Sequence, residues 1–129
     1  MKLLLDTHAL VWVMNGNPRL GRAARTAIEI PSNPLFVSAA SVWEAAIKFR
    51  LGKFPEAALL VDRPRKVLES LEIGDLPISL EHARLAGSLS AQHKDPFDRM
   101  LAAQALLEGL TLASEDAIFD QMAVTRIWR

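Results

Sequence analysis

The segment DPFDRMLAAQALLEGLTLASED, residues 95–116, decides the fold class, because it predicts a helix that leads directly into a buried strand. Asp95 and Pro96 suit the N-cap and the first position of this helix, since aspartate accepts from free amides and proline needs no donor there. A glycine ends the helix, and the apolar run 110–113 then predicts a strand that Asp116 follows. This order of elements is typical of a crossover unit in a parallel sheet.

The same alternation extends through the rest of the chain. Apolar runs predict strands at 2–5, 35–37, 76–80, 110–113 and 124–128. Helical patterns are predicted at 8–14, 20–30, 41–51, 56–61, 64–72, 81–90, 96–108 and 117–122. Strands that alternate with helices favour parallel pairing with right-handed crossovers. We therefore expect one α/β domain over residues 1–129, a three-layer α/β/α sandwich with a central, mainly parallel five-stranded sheet.

The composition limits the chemistry available to the chain. There is no cysteine, which excludes disulfides, thiolate nucleophiles and iron–sulfur sites, so any metal ligand is a carboxylate, an imidazole or a backbone oxygen. The formal net charge is zero, which is unusual for a nucleic-acid binder, although an acidic metal site offsets basic residues elsewhere. No apolar run approaches the ~20 residues that span a bilayer, and we expect a cytoplasmic protein without a membrane partner.

Four carboxylates lie close to the ends of predicted strands. Asp6 comes directly after the first strand, and Asp116 follows the fourth strand after a two-residue step. Glu44 lies in the first turn of the predicted helix after the second strand, and Asp98 in the first turn of the helix before the fourth. Ligands of open α/β sheets bind beyond the carboxyl ends of the strands. We therefore expect these four side chains at one edge of the sheet.

Most of these residues also have a purely structural explanation. Asp6 and Asp116 are both suited to capping the helical segment that follows them. The run SVWE at 41–44 matches a capping box, in which Glu44 bonds back to the backbone of Ser41. Taken one at a time, these residues do not distinguish a cap from a functional site.

Asp95 and Asp98 have different expected roles. Asp95 is the natural N-cap of its helix, whereas Asp98 falls at the third helical position, on the same face as Leu101, which must pack on the sheet. A carboxylate at the head of a buried stripe is costly unless something pairs with it. We therefore expect Asp98 to be a metal ligand and Asp95 to be the cap or a supporting group.

The convergence of four carboxylates favours a bound cation. Without one, the carboxylates would repel each other, which raises their pKa values and costs stability. Hard divalent cations with oxygen ligands, Mg²⁺ or Mn²⁺, resolve this repulsion. Such ions activate a water and stabilise the leaving oxygen of a phosphodiester. The pattern predicts metal-dependent phosphodiester hydrolysis with Asp6, Glu44, Asp98 and Asp116 as catalytic metal ligands.

Three segments resemble the signature segments of PIN-domain proteins, above all the VapC-type toxins of toxin–antitoxin pairs: LLLDTHAL at 3–10, SAASVWE at 38–44 and DPFDRMLAAQA at 95–105. The resemblance extends over essentially the whole chain, in the expected order. It implies a magnesium-dependent endoribonuclease that cleaves RNA, is often a homodimer, and is held inactive by an antitoxin protein. The acidic positions of the family correspond to the same four carboxylates.

The resemblance also implies supporting residues around these carboxylates. Ser114 fits the hydroxyl-x-aspartate pattern of the family, and Thr7 and Ser38 are weaker candidates of the same kind. Asp116 ranks below the other three carboxylates, because the fourth acidic position is often peripheral in this family. Glu115 competes with it for the role.

Several further residues have less specific signals. Arg99 fits either a phosphate contact or an ion pair with the helix cap beside it. Lys48 belongs to a basic stretch that fits either a phosphate-binding rim or a solvated helix face. His82 and His93 lack metal-ligand spacing, and we expect them at the surface or at helix caps. Trp43 is expected to pack in the core.

Two other functions fit parts of the pattern. A phosphoacceptor signalling domain shares the length, the parallel sheet and an acidic magnesium pocket. It requires an acidic pair after the first strand, an acceptor aspartate after the third and a lysine after the fifth, whereas here the third strand ends in LE at 80–81 and the last in WR at 128–129. A non-catalytic binding module of the same fold is the second alternative, and the presence of all four carboxylates argues against it.

Overall fold

The central strand of the sheet is β1, Leu3–Leu5, whose three leucines are fully buried. It pairs in parallel with β2, Leu35–Ser38, on one side and with β4, Thr111–Ala113, on the other. The outer strands β3, Gly74–Leu76, and β5, Arg126–Ile127, are parallel to β2 and β4. The predicted parallel five-stranded sheet is confirmed, and its uninterrupted apolar centre is typical of a strand covered on both faces.

Helices cover both faces of this sheet, as predicted. The computed structural model describes residues 1–129, with α1 Thr7–Asn15, α2 Arg22–Glu29, α3 Ala39–Arg50, α4 Ala58–Asp62, α5 Pro64–Ser70, α6 Leu80–Ser88 and α7 Pro96–Glu108. Leu5 and Val37 pack with residues of α1 to α5, whereas Leu4 and Leu112 pack with α7 and the 3₁₀ helix Ala117–Met122. Leu4 and Leu5 of β1 thus pack into the hydrophobic cores on opposite faces of the sheet. None of the helices has the length and apolar composition that a bilayer-spanning segment needs.

The strand order places a ligand-binding position next to β1. The order is β3-β2-β1-β4-β5, so the chain moves outward from β1 to β3 and then crosses to β4 on the other side. The point where the order reverses lies between β1 and β4, and Asp6 follows β1 there. Phosphoacceptor signalling domains have the strand order 2-1-3-4-5, so that alternative is wrong for this chain.

The third strand lies earlier than predicted. It runs over Gly74–Leu76 rather than 76–80, because Pro77 has no amide to donate to a ladder and Ser79 already caps α6. The Ser79 hydroxyl accepts from the His82 amide while the His82 ring accepts from the Ser79 amide, so this histidine is a capping residue. The fifth strand, limited to two residues, is also shorter than predicted.

Gly21 permits a close approach between the start of α2 and the C-terminal segment. A Cβ at Gly21 would lie 2.1 Å from the Trp128 carbonyl oxygen, which is backbone and cannot rotate away. We expect Gly21→Ala to lower the free energy of unfolding by about 2–3 kcal/mol, measured by urea denaturation. The matched control Gly87→Ala adds its Cβ in open space within α6, and it should be neutral or stabilising by up to about 1 kcal/mol. Equal stability of the two variants would refute this account of Gly21.

Candidate metal centre

An acidic cavity of about 220 Å³ lies beyond the carboxyl end of β1. Six carboxylates and one lysine contribute to its lining: Asp6, Glu44, Asp95, Asp98, Glu115, Asp116 and Lys48. The structure therefore brings together the four carboxylates that the sequence predicts at one edge of the sheet. They come from segments that are far apart in the chain and that meet only through the parallel sheet.

Asp6 is both a helix cap and a cavity residue. Its Oδ1 accepts a hydrogen bond of 2.8 Å from the Ala9 amide, which caps α1. Burial raises the pKa of Asp6 to about 6, and a hydrogen bond from the Ser114 side chain acts in the opposite direction. Asp6 can therefore both cap α1 and contribute to a metal site, because the cap uses only one of its two carboxylate oxygens.

Glu44 is held by two side chains and not by a capping box. α3 begins two residues earlier than predicted because the Ser38 hydroxyl caps it, and Glu44 therefore lies in the second turn. Its Oε1 accepts a 2.6 Å hydrogen bond from the Thr7 hydroxyl, and its Oε2 lies 2.9 Å from Lys48 Nζ. The Ser41 hydroxyl is buried without a hydrogen-bond partner, so the predicted box is absent.

Thr7 and Ser38 therefore differ in their relation to the cavity. Thr7 lines it and fixes the buried Glu44, as a supporting residue would. Ser38 is fully buried, does not line the cavity, and uses its hydroxyl oxygen to accept from the Ala40 amide.

The segment that leads into α7 places a histidine beside Asp98. Asp95 Oδ1 accepts from the amides of Phe97 at 2.9 Å and Asp98 at 3.3 Å, so Asp95 is the N-cap that the sequence predicts. Asp98 Oδ2 lies 2.8 Å from His93 Nε2. Burial raises the pKa of Asp98 to about 6, and the hydrogen bond with His93 opposes this rise. One ligand atom from each of His93, Asp95 and Asp98 lies within 4.8 Å of the others.

Sequence reasoning missed His93 as a member of this cluster. Its only signal is its position five residues before Asp98, which does not by itself define a contact. The contact depends on how the segment between α6 and α7 folds back over the N-terminus of α7.

Asp116 lies at the exposed rim of the cavity. Its Oδ1 accepts from the Ile118 amide at 3.0 Å, which caps the 3₁₀ helix after β4. The buried Ser114 hydroxyl in turn accepts from the Asp116 amide at 3.1 Å. Glu115 also lines the cavity, and it approaches Arg19 to 4.0 Å. Asp116 is thus exposed, whereas Asp6 and Glu44 are largely enclosed.

Arg99 and Trp43 do not lie where the sequence places them. Arg99 contacts neither Asp95 nor the cavity, because its guanidinium is taken up by backbone carbonyls of the segment before α7. Trp43 is 60% exposed and packs edge-on against Phe97 with ring centroids 5.0 Å apart. Since consecutive helical residues point about 100° apart, the inward position of Glu44 turns Trp43 outward.

The fold and nearly the whole sequence match one protein family. The family model of the PIN domain matches residues 3–124. The chain belongs to the PIN-domain family. This PIN domain is also similar to ribonuclease VapC16 of Mycobacterium tuberculosis, with 37% identity over 78 residues that make up 54% of this chain and 51% of the relative. The chain thus spans about half the length of the curated relative it matches.

Solved structures share the fold of this PIN domain over almost their entire length. VapBC2 from Rickettsia felis, bound to a DNA fragment from its promoter, aligns with a TM-score of 0.73 and 16% identity over 100% of both chains. FitAcB from Neisseria gonorrhoeae aligns with a TM-score of 0.69 and 21% identity over 97% of this chain and 96% of the other. VapC20 of Mycobacterium tuberculosis, a sarcin–ricin loop cleaving toxin, gives a TM-score of 0.68 and 13% identity over 98% and 99%. At these identities the similarity shows a common fold.

The donor set of the PIN domain fits a hard divalent cation. The pKa values of Asp6 and Asp98 are raised mainly by burial, and repulsion from Glu44 adds to the rise at both sites. Lys48 is the only lysine or arginine in the cavity lining, so the carboxylates far outnumber their compensating charges. Oxygen-rich clusters of this kind suit Mg²⁺ or Mn²⁺.

Proposed function

We propose that this PIN domain is an endoribonuclease that depends on Mg²⁺ or Mn²⁺ and is the toxin of a toxin–antitoxin pair. The observation that carries the proposal is the convergence of Asp6, Glu44 and Asp98 on one cavity at the point where the strand order reverses. The similarity to a ribonuclease, VapC16, supports RNA as the substrate.

Asp6, Glu44 and Asp98 are the proposed ligands, with Asp116 as a fourth, outer ligand at the rim. When bound, a divalent cation supplies Lewis acidity, which favours deprotonation of a water and stabilises negative charge on the phosphodiester. The other side chains hold these ligands in place. Thr7 fixes Glu44 Oε1 through the 2.6 Å hydrogen bond, and such outer contacts determine ligand orientation.

Lys48 is the side chain that we propose to contact a phosphate group of the RNA. Its ammonium group lies 2.9 Å from Glu44 Oε2, and its side chain is 39% exposed, so it reaches both the site and the solvent. A lysine ammonium is a compact charge with three donors, which suits a single phosphate oxygen. With a cation held by Glu44, the charge of Glu44 would be compensated without Lys48, and the Lys48 ammonium would be free to neutralise a substrate phosphate.

The proposed protein partners are an antitoxin and a second copy of the chain. Support for the antitoxin comes from the structural relatives, among which are VapBC complexes from Rickettsia felis and Salmonella typhimurium, whereas the second copy rests on the resemblance to VapC-type toxins alone. Expressing the chain with the open reading frame next to its gene tests the first partner. The encoded protein should copurify with the PIN domain and suppress RNA cleavage.

The central test is cleavage of total host RNA by protein purified free of partners. We expect discrete products with Mg²⁺ or Mn²⁺ and none with EDTA, and sequencing of their ends would give the cleavage site. Intact RNA under every metal condition, with protein shown to be folded and partner-free, would overturn the proposal in favour of a binding module.

Asp95 provides a matched test of which acidic residues hold the metal. Asparagine retains the oxygen that caps α7, so Asp95→Asn should keep at least about a third of the cleavage rate, measured at saturating Mg²⁺. Asp95→Ala removes the cap and should cost roughly 1 kcal/mol of stability. A loss of activity in Asp95→Asn as deep as that in Asp98→Asn would identify Asp95 as a ligand.

A further inference from the structure

Arg99 devotes its entire hydrogen-bonding capacity to one stretch of backbone. A guanidinium has five N–H donors in a rigid plane. All five are used at 2.6–3.4 Å, on the carbonyl oxygens of Ala86, Gly87, Leu89, Ala91 and His93. Arg99 therefore has no donor left for a substrate phosphate.

These carbonyls belong to the end of α6 and to the segment that connects it to α7. The last carbonyls of a helix have no partners within the helix, and a cation at this end is favourable. The connecting segment 89–95 contains no helix or strand of its own. Arg99 makes three hydrogen bonds to this segment, at Leu89, Ala91 and His93, and its other two tie the segment to the end of α6. A lysine has only three donors and no planar fork, so it cannot replace this arrangement.

His93 links this clamped segment to the candidate metal centre. Its carbonyl oxygen accepts from Arg99 Nη1 at 2.9 Å, and its ring Nε2 lies 2.8 Å from Asp98 Oδ2. The side chains of His93 and Asp98 are only 24% and 20% exposed. Asp98 Oδ2 is thus held by the ring, whereas Asp98 Oδ1 makes no hydrogen bond, and Asp98 lines the acidic cavity.

We propose that Arg99 and His93 are positioning residues of the metal centre: Arg99 fixes the 89–93 backbone, and His93 then holds Asp98 Oδ2 so that Oδ1 faces the cation. This inference rests on the proposed metal-dependent function. It assigns Arg99 a role at a distance from the substrate, and it explains why the arginine follows Asp98 directly in the sequence. Both side chains leave α7 in the same turn, one toward the site and one toward the connecting segment.

The test is the affinity of the metal-free protein for Mg²⁺, measured by calorimetry at pH 7.5. His93→Leu should weaken binding by about 10–100-fold, the usual effect of losing a residue that orients a ligand. His93→Gln keeps an N–H donor near the position of Nε2 and should restore affinity to within about fivefold of the parent. A purely structural role for the ring predicts equal affinities for these two variants, and that result would overturn the proposal.

A double-mutant comparison tests the path from Arg99 through His93. Arg99→Lys should weaken Mg²⁺ binding by about tenfold in the parent and by less than about twofold in the His93→Leu background. The control Arg84→Lys, an exposed position on α6, should leave affinity unchanged. Equal losses in both backgrounds would show that Arg99 does not act through His93. If Arg99→Lys fails to fold, the comparison of His93→Leu with His93→Gln still tests whether His93 positions Asp98.

The proposed function and this inference fail in different ways. A parent protein that binds no Mg²⁺ and cleaves no RNA would contradict both the proposed function and the positioning role. A parent that binds Mg²⁺ and cleaves RNA, together with a His93→Leu variant of unchanged affinity, would remove only the positioning role.

Discussion

Asp98→Asn and Asp6→Asn are expected to abolish RNA cleavage while making the metal-free protein more stable. Loss of one ligand charge should lower the cleavage rate by about 100–1,000-fold, the scale seen when a group that stabilises a transition state is removed. Stability should rise because both carboxyls have a pKa of about 6 in the folded protein, well above the ordinary value of 3.8. The asparagine at position 6 keeps an oxygen that can cap α1, and the asparagine at position 98 keeps an oxygen that can contact His93. Neither side chain carries a charge that must be buried.

The direction of this stability effect follows from proton linkage. A raised pKa means that the folded state binds the proton more tightly than the unfolded state. The resulting stabilisation is complete below about pH 3.8 and is lost as the pH rises through about 6. At pH 7.5 both carboxylates are therefore ionised at a cost, and each asparagine should raise the Tm of the metal-free protein by about 5 °C.

Thermal melts in EDTA at pH 5 and pH 7.5, with cleavage assays alongside, check both parts of this prediction. Asp62→Asn is the matched control, because Asp62 is an exposed carboxylate away from the cavity. It should change neither the cleavage rate nor the pH dependence of the Tm. A large fall in the Tm of Asp6→Asn or Asp98→Asn at pH 7.5 would show that the carboxylate serves the fold rather than a metal.

Mg²⁺ affinity is expected to rise about a hundredfold between pH 5 and pH 7.5. A ligand must lose its proton before it binds a metal, and two carboxyls with a pKa of about 6 are both ionised in only about one molecule in a hundred at pH 5. Calorimetry in buffers with different ionisation enthalpies should detect close to two protons released per Mg²⁺ bound at pH 5. Asp98→Asn should release about one proton fewer.

An affinity that does not change with pH would contradict this prediction. It would mean that Mg²⁺ avoids Asp6 and Asp98 and binds elsewhere. Control titrations with Ca²⁺ should show the same number of released protons, since the protons belong to the ligands and not to the ion.

The parts of the molecule that depend on local chemistry could be predicted from the sequence. The apolar run 2–5 predicts a buried strand, observed as β1, and the order of aspartate and proline at the start of α7 predicts its cap. Asp6 and Asp98 follow from these two features, because the carboxyl ends of parallel strands share one edge. The positions of these carboxylates are therefore consequences of patterns within a few residues of each one.

The parts that depend on contacts between distant segments could not be predicted. The SVWE run favours a capping box at Ser41, but the competing cap at Ser38 starts α3 earlier and releases Glu44 for Thr7. His93 has no local pattern at all, because its contact with Asp98 exists only through the fold of the connecting segment. The sequence predicts a phosphate contact or an ion pair with Asp95 for Arg99, and this prediction is wrong for the same reason, since the backbone partners of Arg99 are brought to it only by the fold.

The pairing of β1 with β4 also determines when the acidic cavity can first form during synthesis. Leu3 is opposite Thr111 in the register, so the ribosome must make more than a hundred further residues before β1 meets this partner. Asp6 and Asp98 are separated by about ninety residues, which takes roughly 5–18 s to synthesise. Parallel pairing over such distances is slow in itself. The acidic cavity therefore cannot be complete before β4 has left the ribosome, and the proposed nuclease has no assembled metal centre during most of its own synthesis.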